Sequence, residues 1–351
     1  MIVPVSHLSQ RVNQRVQPFL AADVGGTHAR VALVRAAGLR DVEVLAYRKF
    51  TCAEFGKLSE LLRVFIEQDV TIPVHRCVIA SAGQVIDDVI VNDNLAWRVS
   101  LTGLRDALDL DDVALLNDFE ALGYAIDNIE ESDTLLLCGP SVRCEGPVVV
   151  VGPGTGLGAA VRLSGPQGVH VLATEAGQMD LAPGTARERE VLARLAPTDG
   201  YVAYEKVLSG PGLLNLYNAL CSLRGQAPRL DSPEAVTAAA EAGSDADAVE
   251  AQEMFCALLG SFVGNLTLAY MASGGVYLAG GVLPQIKRAL RSSRFVDRFL
   301  NKGGMREFLL RVPIRLIEHG RHGVLGAAHW YLDGTQQGGA GPRALGEGTE
   351  A

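Results

Sequence analysis

The sequence predicts a two-domain α/β protein, and three observations carry that reading. Its 351 residues exceed the usual size of one compact domain, so two domains are expected. Short apolar runs alternate with amphipathic segments along most of the chain, as in α/β folds. A strand, glycine turn, strand unit opens the chain near Phe19 and recurs near Val148, which predicts two lobes of related design.

The first unit begins with Phe19-Leu20-Ala21-Ala22, a strand that runs into Asp23-Val24-Gly25-Gly26-Thr27 and returns through Ala29 to Val34. A third strand is predicted at Val42 to Tyr47. A helix is predicted at Glu54 to Glu67, where Leu58, Leu61, Leu62 and Phe65 recur at helical spacing on one face. A strand at Cys77 to Ala80 and a helix around Leu104 to Leu108 precede a buried strand, Val113 to Leu116, expected to deliver Asn117-Asp118-Phe119 into a loop. Carboxyl ends of strands are where α/β folds place their chemistry.

The second unit repeats the opening: Val148 to Val151 is apolar, Gly152-Pro153-Gly154-Thr155-Gly156-Leu157-Gly158 turns, and Ala159 to Leu163 returns. A strand at Val169 to Ala173 and helices at Thr185 to Arg194, Leu213 to Leu223 and Pro233 to Ala242 follow, so this lobe is expected to be the more helical. Phe255 to Leu283 carries no charge and is long enough to suggest a membrane span. Ser261, Asn265, Thr267 and Ser273 interrupt it, however, and Gly274-Gly275 break it before the strand-like Val276-Tyr277-Leu278-Ala279. It is therefore predicted as a buried helix feeding a central strand.

At the ends, residues 1–18 lack the apolar core of a signal peptide and are expected to be a loose leader. Residues 333–351, rich in glycine, are expected to be a disordered tail. Composition narrows the function. With 48% hydrophobic and 20% charged residues the chain has ample core material and is not a disordered polymer. Lys+Arg 31 against Asp+Glu 40 gives a net charge of −9 with no basic run, which argues against nucleic-acid or anionic-membrane partners. The scattered cysteines (Cys52, Cys77, Cys138, Cys144, Cys221, Cys256) form no CxxC pair and are read as reduced thiols of a cytoplasmic protein.

Several segments carry chemistry. In Asp23-Val24-Gly25-Gly26-Thr27 the glycines let successive N–H groups point at an anion, Thr27 adds a hydroxyl, and Asp23 is placed to hold hydrated Mg²⁺. An ordinary hairpin turn is the plain reading of the same residues. Gly154-Thr155-Gly156-Leu157-Gly158 is a second such turn. It is not a Walker A loop, lacking Gly-Lys-Ser/Thr, nor a Rossmann fingerprint, because a strand follows. Two phosphate turns in two lobes imply one triphosphate between them. Gly280-Gly281 ends a buried strand, where small residues allow a flat group such as adenine to approach the backbone, unless they simply end a strand. Asp118 is positioned as a general base for an attacking hydroxyl, the plain reading being a helix N-cap. Glu175 and Glu205 are acceptors of the kind a sugar site needs, although either alone reads equally as a solvated surface residue.

Ala22-Asp23-Val24-Gly25-Gly26-Thr27, Asn117-Asp118-Phe119, Gly152 to Gly158, Leu208-Ser209-Gly210-Pro211-Gly212-Leu213 and Ala279-Gly280-Gly281 resemble the bacterial glucokinases in order and spacing, over roughly Phe19 to Leu332. The resemblance implies a two-lobed hexokinase/actin-like (ribonuclease H-like) fold with the active site in the interdomain cleft. It implies a small α/β domain at 19–128 plus 319–332, a large one at 129–318, and a homodimer. It further implies ATP-dependent phosphorylation of glucose or a related hexose at the 6-hydroxyl, feeding glycolysis, with ATP as co-substrate and Mg²⁺. By that resemblance Asp118 is the catalytic base, Asn117, Glu175, Gln178 and Glu205 bind the sugar, and Ala22, Asp23, Val24, Gly25, Gly26, Thr27, Gly154, Thr155 and Gly156 hold the phosphates. Gly280 and Gly281 flank the adenosine, and Asp23 meets Mg²⁺ through water.

The sequence also departs from the family. Gln178 stands where the family's sugar-contacting histidine belongs, and an amide both donates and accepts but carries no charge. Gln84 follows Gly83 where the family has proline, in a loop that continues to Asn94-Leu95-Ala96-Trp97, and His28 replaces an asparagine. These departures motivate two other readings: a non-catalytic sugar- or nucleotide-binding sensor, and a kinase for another hexose. A repressor of the related group would need an N-terminal helix-turn-helix and a cysteine-rich zinc segment, and a chaperone or filament ATPase would not need Glu175 and Glu205.

Overall fold

The computed structural model describes residues 17–38, 41–91, 97–142, 144–166, 168–196, 200–318 and 321–336. The body of the expected leader, the Asn94–Ala96 part of the small-lobe loop and the tail from 337 onward lie outside the described residues. The chain divides into two compact units, one running to Ile129 and resuming at Arg321, the other Glu130–Gly320.

In the first unit β1 (Phe19–Val24), β2 (His28–Ala36) and β3 (Val42–Thr51) form an antiparallel meander, and β4 (Arg76–Ser81) joins β1 in parallel. β5 (Gln84–Ile86), β6 (Val89–Val91) and β7 (Val99–Ser100) form a separate small sheet that sequence reading did not anticipate. Its first hairpin turns on Asp87 and Asp88, both at positive φ, as a two-residue turn requires. β8 (Asp112–Leu116) completes the main sheet in the order β3-β2-β1-β4-β8.

Strand periodicity divides the core of this unit. Leu20, Ala22 and Val24 of β1 face one cluster with Leu58, Leu61, Leu62 and Phe65 of α1 (Leu58–Asp69) and Leu104 of α2 (Leu101–Leu108). Phe19 and Ala21 face the other, with Ala121 of α3 (Asp118–Ala125) and Val324, Ala327, Ala328 and Tyr331 of the last helix, His322–Gln336. The predicted helical face is thus the buried one, but α1 starts at Leu58 rather than Glu54, because Cys52–Glu54 form a separate 3₁₀ turn. The last helix continues to Gln336, past Leu332 where the disordered tail was expected to begin. Its final turns are anchored by buried Trp330 and Tyr331, whose phenol donates to Asp112 Oδ2 at 2.6 Å.

The second unit holds β9 (Thr134–Cys138), β10 (Val148–Pro153), β11 (Leu157–Gly165), β12 (Gly168–Thr174), β13 (Gly275–Leu278) and β14 (Ile314–Ile317). The order is β12-β11-β10-β13-β14-β9, antiparallel across β12-β11-β10 and parallel across β10-β13-β14. Apart from the extra edge strand β9, this reproduces the first sheet: a hairpin meander followed by parallel additions. The repeated motif read in the sequence is therefore a repeated topology.

Among the described residues, six helices pack around this sheet. They are α4 (Ala186–Leu195), α5 (Gly210–Leu223), α6 (Pro233–Ala242), α7 (Ala246–Ala269), α8 (Lys287–Ser292) and α9 (Phe295–Leu300), and the one-turn α10 (Arg306–Leu309) follows. Their termini are written locally: Thr185 and Glu188 form a capping box on α4, Ser209 caps α5, and Ser232 with Pro233 starts α6, which ends on Gly243 in the left-handed region. The uncharged stretch from Phe255 is the buried half of α7 followed by β13. No helix among the described residues is long and apolar enough to cross a membrane.

Candidate active site

In the first unit, Asp23 lies near the carboxyl end of β1, directly opposite Arg30 on β2, and its Oδ2 accepts from Arg30 Nη1 at 3.2 Å. A Cβ on Gly323 would fall 2.7 Å from Asp23 Cγ, so the start of the last helix closes over this carboxylate. That burial pushes the Asp23 carboxyl above its usual range, and Arg30 only partly opposes it. The turn beyond is closed by Gly25 N–H donating to His28 O at 3.0 Å and is tied to its surroundings by Cys52 N–H on Thr27 O at 2.9 Å. Gly25 and Thr27 are exposed, and among the described residues the N–H groups of Gly26 and Thr27 have no backbone partner. His28 opens β2 opposite Thr51, and partial burial together with Lys49 and Arg30 holds its pKa below the ordinary histidine value.

Asn117-Asp118-Phe119 was expected in a loop after β8; instead Asn117 is the N-cap of α3 and Asp118 its first residue. The reason is local. Asn117 has extended backbone angles and its Oδ1 accepts from Phe119 N–H at 2.9 Å and Glu120 N–H at 3.1 Å, satisfying donors that a helix start leaves open. Asp118 Oδ1 accepts from Phe119 N–H at 3.0 Å, which fixes this carboxylate at the mouth of the helix. With Oδ1 of Asn117 committed to the cap, its amide NH₂ is the group suited to meet a hydroxyl.

In the second unit, the turn after β10 is tighter: Pro153 pairs with Leu157, and Gly154 N–H donates to Gly156 O at 2.8 Å. Thr155 is exposed at its tip, and among the described residues neither its N–H nor that of Gly156 has a backbone partner. Glu205 lies against this turn. Its Oε2 accepts the Leu157 N–H at 2.8 Å and its Oε1 accepts from Gln178 Nε2 at 3.2 Å. Backbone pairing creates that meeting: Leu181 N–H bonds Val202 O at 2.9 Å and Tyr204 N–H bonds Met179 O at 3.0 Å, so the segments carrying Gln178 and Glu205 run side by side. Glu175, exposed, precedes the 3₁₀ turn Ala176–Gln178 on the same segment.

The glycines after β13 play different parts. Gly280, at φ 95°, would drive a Cβ to 2.4 Å from Pro153 O, so its missing side chain makes room for the neighbouring β10 backbone rather than for a flat ligand. Gly281 has open space where its side chain would be and is exposed. Of the two glycines expected at the adenosine, Gly281 is the one with open space beside it.

No cluster of three or more His, Cys, Asp or Glu side chains able to hold a metal exists among the described residues. A magnesium ion held by waters and phosphate oxygens would have Asp23 behind them, the usual arrangement for this ion, and a half-buried carboxylate paired with Arg30 fits that part. The cavities of about 210 Å³ bordered by Glu241, Gln252 and Arg288 and about 470 Å³ bordered by Arg294, Asp297 and Arg306 include none of the candidate residues. All six cysteines are free; burial pushes the Cys77 and Cys256 thiols up to about 12, which makes them inert.

Sequence reading missed Arg30, Gly323 and the Leu157 N–H. Arg30 was within reach, because a turn closing Val24 on Ala29 sets Asp23 opposite it.

Comparison with known proteins decides the family. The glucokinase family model matches residues 20–334. The chain belongs to the glucokinase family. It is 47% identical over 321 residues to a glucokinase-like protein of Xylella fastidiosa (strain 9a5c), covering 91% of this chain and 96% of that one. It is 35% identical over 318 residues to a glucokinase of Saccharophagus degradans, covering 89% and 98%. Among solved structures, a glucokinase from an Antarctic psychrotroph superposes with a TM-score of 0.77 at 32% identity, covering 89% of this chain and 98% of that one. The fold of this glucokinase-family chain is accordingly the hexokinase/actin-like one, and its family is one of sugar kinases.

Proposed function

We propose that the chain is an ATP-dependent hexose kinase that phosphorylates glucose at its 6-hydroxyl. The observation that carries this reading is Asp118 at the end of β8, a carboxylate with a position expected of a base, in a protein whose duplicated sheet bears a glycine turn after the first strand of each copy. The reaction follows from these residues. The N–H groups of Gly26, Thr27, Thr155 and Gly156 hold phosphate oxygens, Gly281 lies along the adenosine, and Asn117, Glu175, Gln178 and Glu205 hold sugar hydroxyls. Asp118 accepts the proton of the 6-hydroxyl as that oxygen bonds to the γ-phosphorus and the bond to the β,γ-bridging oxygen breaks, giving hexose 6-phosphate and ADP. Mg²⁺, when bound beside Asp23, neutralises charge on the phosphate oxygens. Positioning and charge neutralisation supply most of the acceleration.

The same reading makes the protein a cytoplasmic enzyme that feeds glycolysis and, on the resemblance to bacterial glucokinases, a homodimer. A second reading, a kinase for another hexose or a non-catalytic sensor, is favoured by one observation: Gln178 is engaged by Glu205 at the position where the family's sugar contact belongs. The test is ADP release with ATP, Mg²⁺ and a panel of hexoses against a sugar-free control, with detection of the sugar phosphate. Turnover with glucose supports the first reading, turnover with a different hexose alone supports the second, and none with any sugar leaves a sensor.

A further inference from the structure

The segment Glu205–Gly210 is stitched to the turn after β10. Glu205 Oε2 accepts the Leu157 N–H at 2.8 Å, and Gly210 N–H donates to Gly154 O at 2.8 Å. A Cβ on Gly156 would come within 2.5 Å of Glu205 Oε2, so the carboxylate occupies space that only glycine leaves open. Glu205 is itself held in place, by Ser209 Oγ donating to its backbone oxygen at 2.9 Å and by Gln178 Nε2 on its Oε1 at 3.2 Å. The other restraints on the turn are backbone ones, the Gly154 N–H on Gly156 O and the Gly210 N–H on Gly154 O, both at 2.8 Å; Glu205 is the side chain that bonds its Leu157 end, while Thr155 at the tip is exposed.

We propose that Glu205 is a positioning residue for the nucleotide: its carboxylate fixes the Gly154–Gly156 turn in the shape that presents the Thr155 and Gly156 N–H groups to phosphate. Nucleotide affinity then depends on Glu205 even when no sugar is present, a dependence that a residue serving only as a sugar ligand would not produce. This inference rests on the reading of the turn as a phosphate site. The physical basis is that a hydrogen bond to an ionised acceptor is about twice as strong as a neutral one, and that a glycine turn without such an anchor samples many backbone conformations, only some of which bind. Because Oε1 of the same carboxylate meets Gln178, a ligand that displaces Gln178 acts directly on the group that holds the nucleotide turn.

The test is calorimetric titration of Mg·ADP into the sugar-free full chain, in wild type and in Glu205→Ala, Glu205→Asp and Glu205→Gln, with amide exchange at Leu157 followed by NMR. Glu205→Ala is expected to lose about tenfold in ADP affinity and to exchange the Leu157 amide faster. Glu205→Asp, with the carboxylate withdrawn by one methylene, is expected to lose affinity in the same direction, and it decides the matter if the alanine variant does not fold. Glu205→Gln keeps an oxygen that accepts from Leu157 but loses the charge, and is expected to lose clearly less affinity than Glu205→Ala. Wild-type ADP affinity in both Glu205→Ala and Glu205→Asp, or a loss in Glu205→Gln as large as in Glu205→Ala, overturns the positioning role and leaves the kinase reading standing. A wild type that binds no ADP overturns the kinase reading and this inference with it.

Discussion

Gln178 Nε2 donates to Glu205 Oε1 at 3.2 Å, so the residue that stands where the resemblance to the bacterial glucokinases implies a histidine is bonded to the carboxylate beside the turn proposed to hold phosphate. On the proposed function, a sugar hydroxyl arriving at Glu205 must compete with an uncharged amide or share the oxygen with it. Replacing Gln178 by His is expected to lower the KM for glucose by about threefold to tenfold with little change in kcat, the signature of altered ground-state binding. Steady-state kinetics over a glucose series measures this. A raised KM would show instead that the pocket is shaped around Gln178 for another hexose.

The place of Asp118 makes a clean variant available. Its Oδ1 already accepts the Phe119 N–H, a bond that the amide of Asn can keep, so Asp118→Asn should fold with α3 intact. Turnover is expected to fall by about 10²–10⁴-fold in Asp118→Asn and Asp118→Ala alike, while glucose binding by calorimetry stays close to wild type. Wild-type turnover in either variant removes Asp118 from the role of base.

How much of this was legible in the sequence depends on the range of the cause. Leu58, Leu61, Leu62 and Phe65 announced their helix, and the two glycine hairpins announced a repeated topology, because both signals are local and periodic. A helix N-cap was the plain reading of Asp118 beside the loop expectation; the structure has the helix, with the cap one residue earlier at Asn117. What stayed hidden depends on which distant backbone arrives. Gly326 is glycine because a Cβ there would strike Ala121 O, and Gly280 because it would strike Pro153 O; neither neighbour can be named without the tertiary fold. The small sheet β5-β6-β7 escaped because its strands are too short to show a period.

Arg30 and Asp23 should respond unequally to mutation. Their pair is partly exposed, so its direct attraction is worth under about 1 kcal/mol. Removing Arg30 nevertheless leaves a carboxylate closed over by Gly323, whereas Asp23→Asn leaves an arginine whose side chain is 37% exposed and can turn to water. Arg30→Leu is expected to cost about 1–3 kcal/mol and Asp23→Asn clearly less, read from urea unfolding midpoints of the ligand-free protein. Equal losses would mean that the pair acts as a symmetric surface bridge and that the burial of Asp23 is energetically idle.

The pair formed by Glu188 and Arg298 should give the protein a pH-dependent stability. Both side chains are buried, at 5% and 6% exposure, and Arg298 Nη2 donates to Glu188 Oε2 at 3.3 Å while its Nη1 engages Oε1. Burial alone would raise the Glu188 carboxyl, but the Arg298 guanidinium and the N–H groups of Gly184 and Thr185 together outweigh it and hold the carboxyl below its ordinary value of 4.5. A group with a depressed folded-state pKa takes up its proton more readily in the unfolded chain. Its contribution to stability is therefore complete above that ordinary value and is lost as pH falls through the lower folded value. Unfolding free energies measured from neutral pH down through this window should fall more steeply in wild type than in Glu188→Gln, which cannot titrate. Glu188→Ala, by stranding a buried guanidinium, should cost about 3–5 kcal/mol at neutral pH. If wild type and Glu188→Gln show the same slope through the acid window, the carboxyl is not held down by this pair, and the link it makes between the α4 capping box and α9 is packing alone.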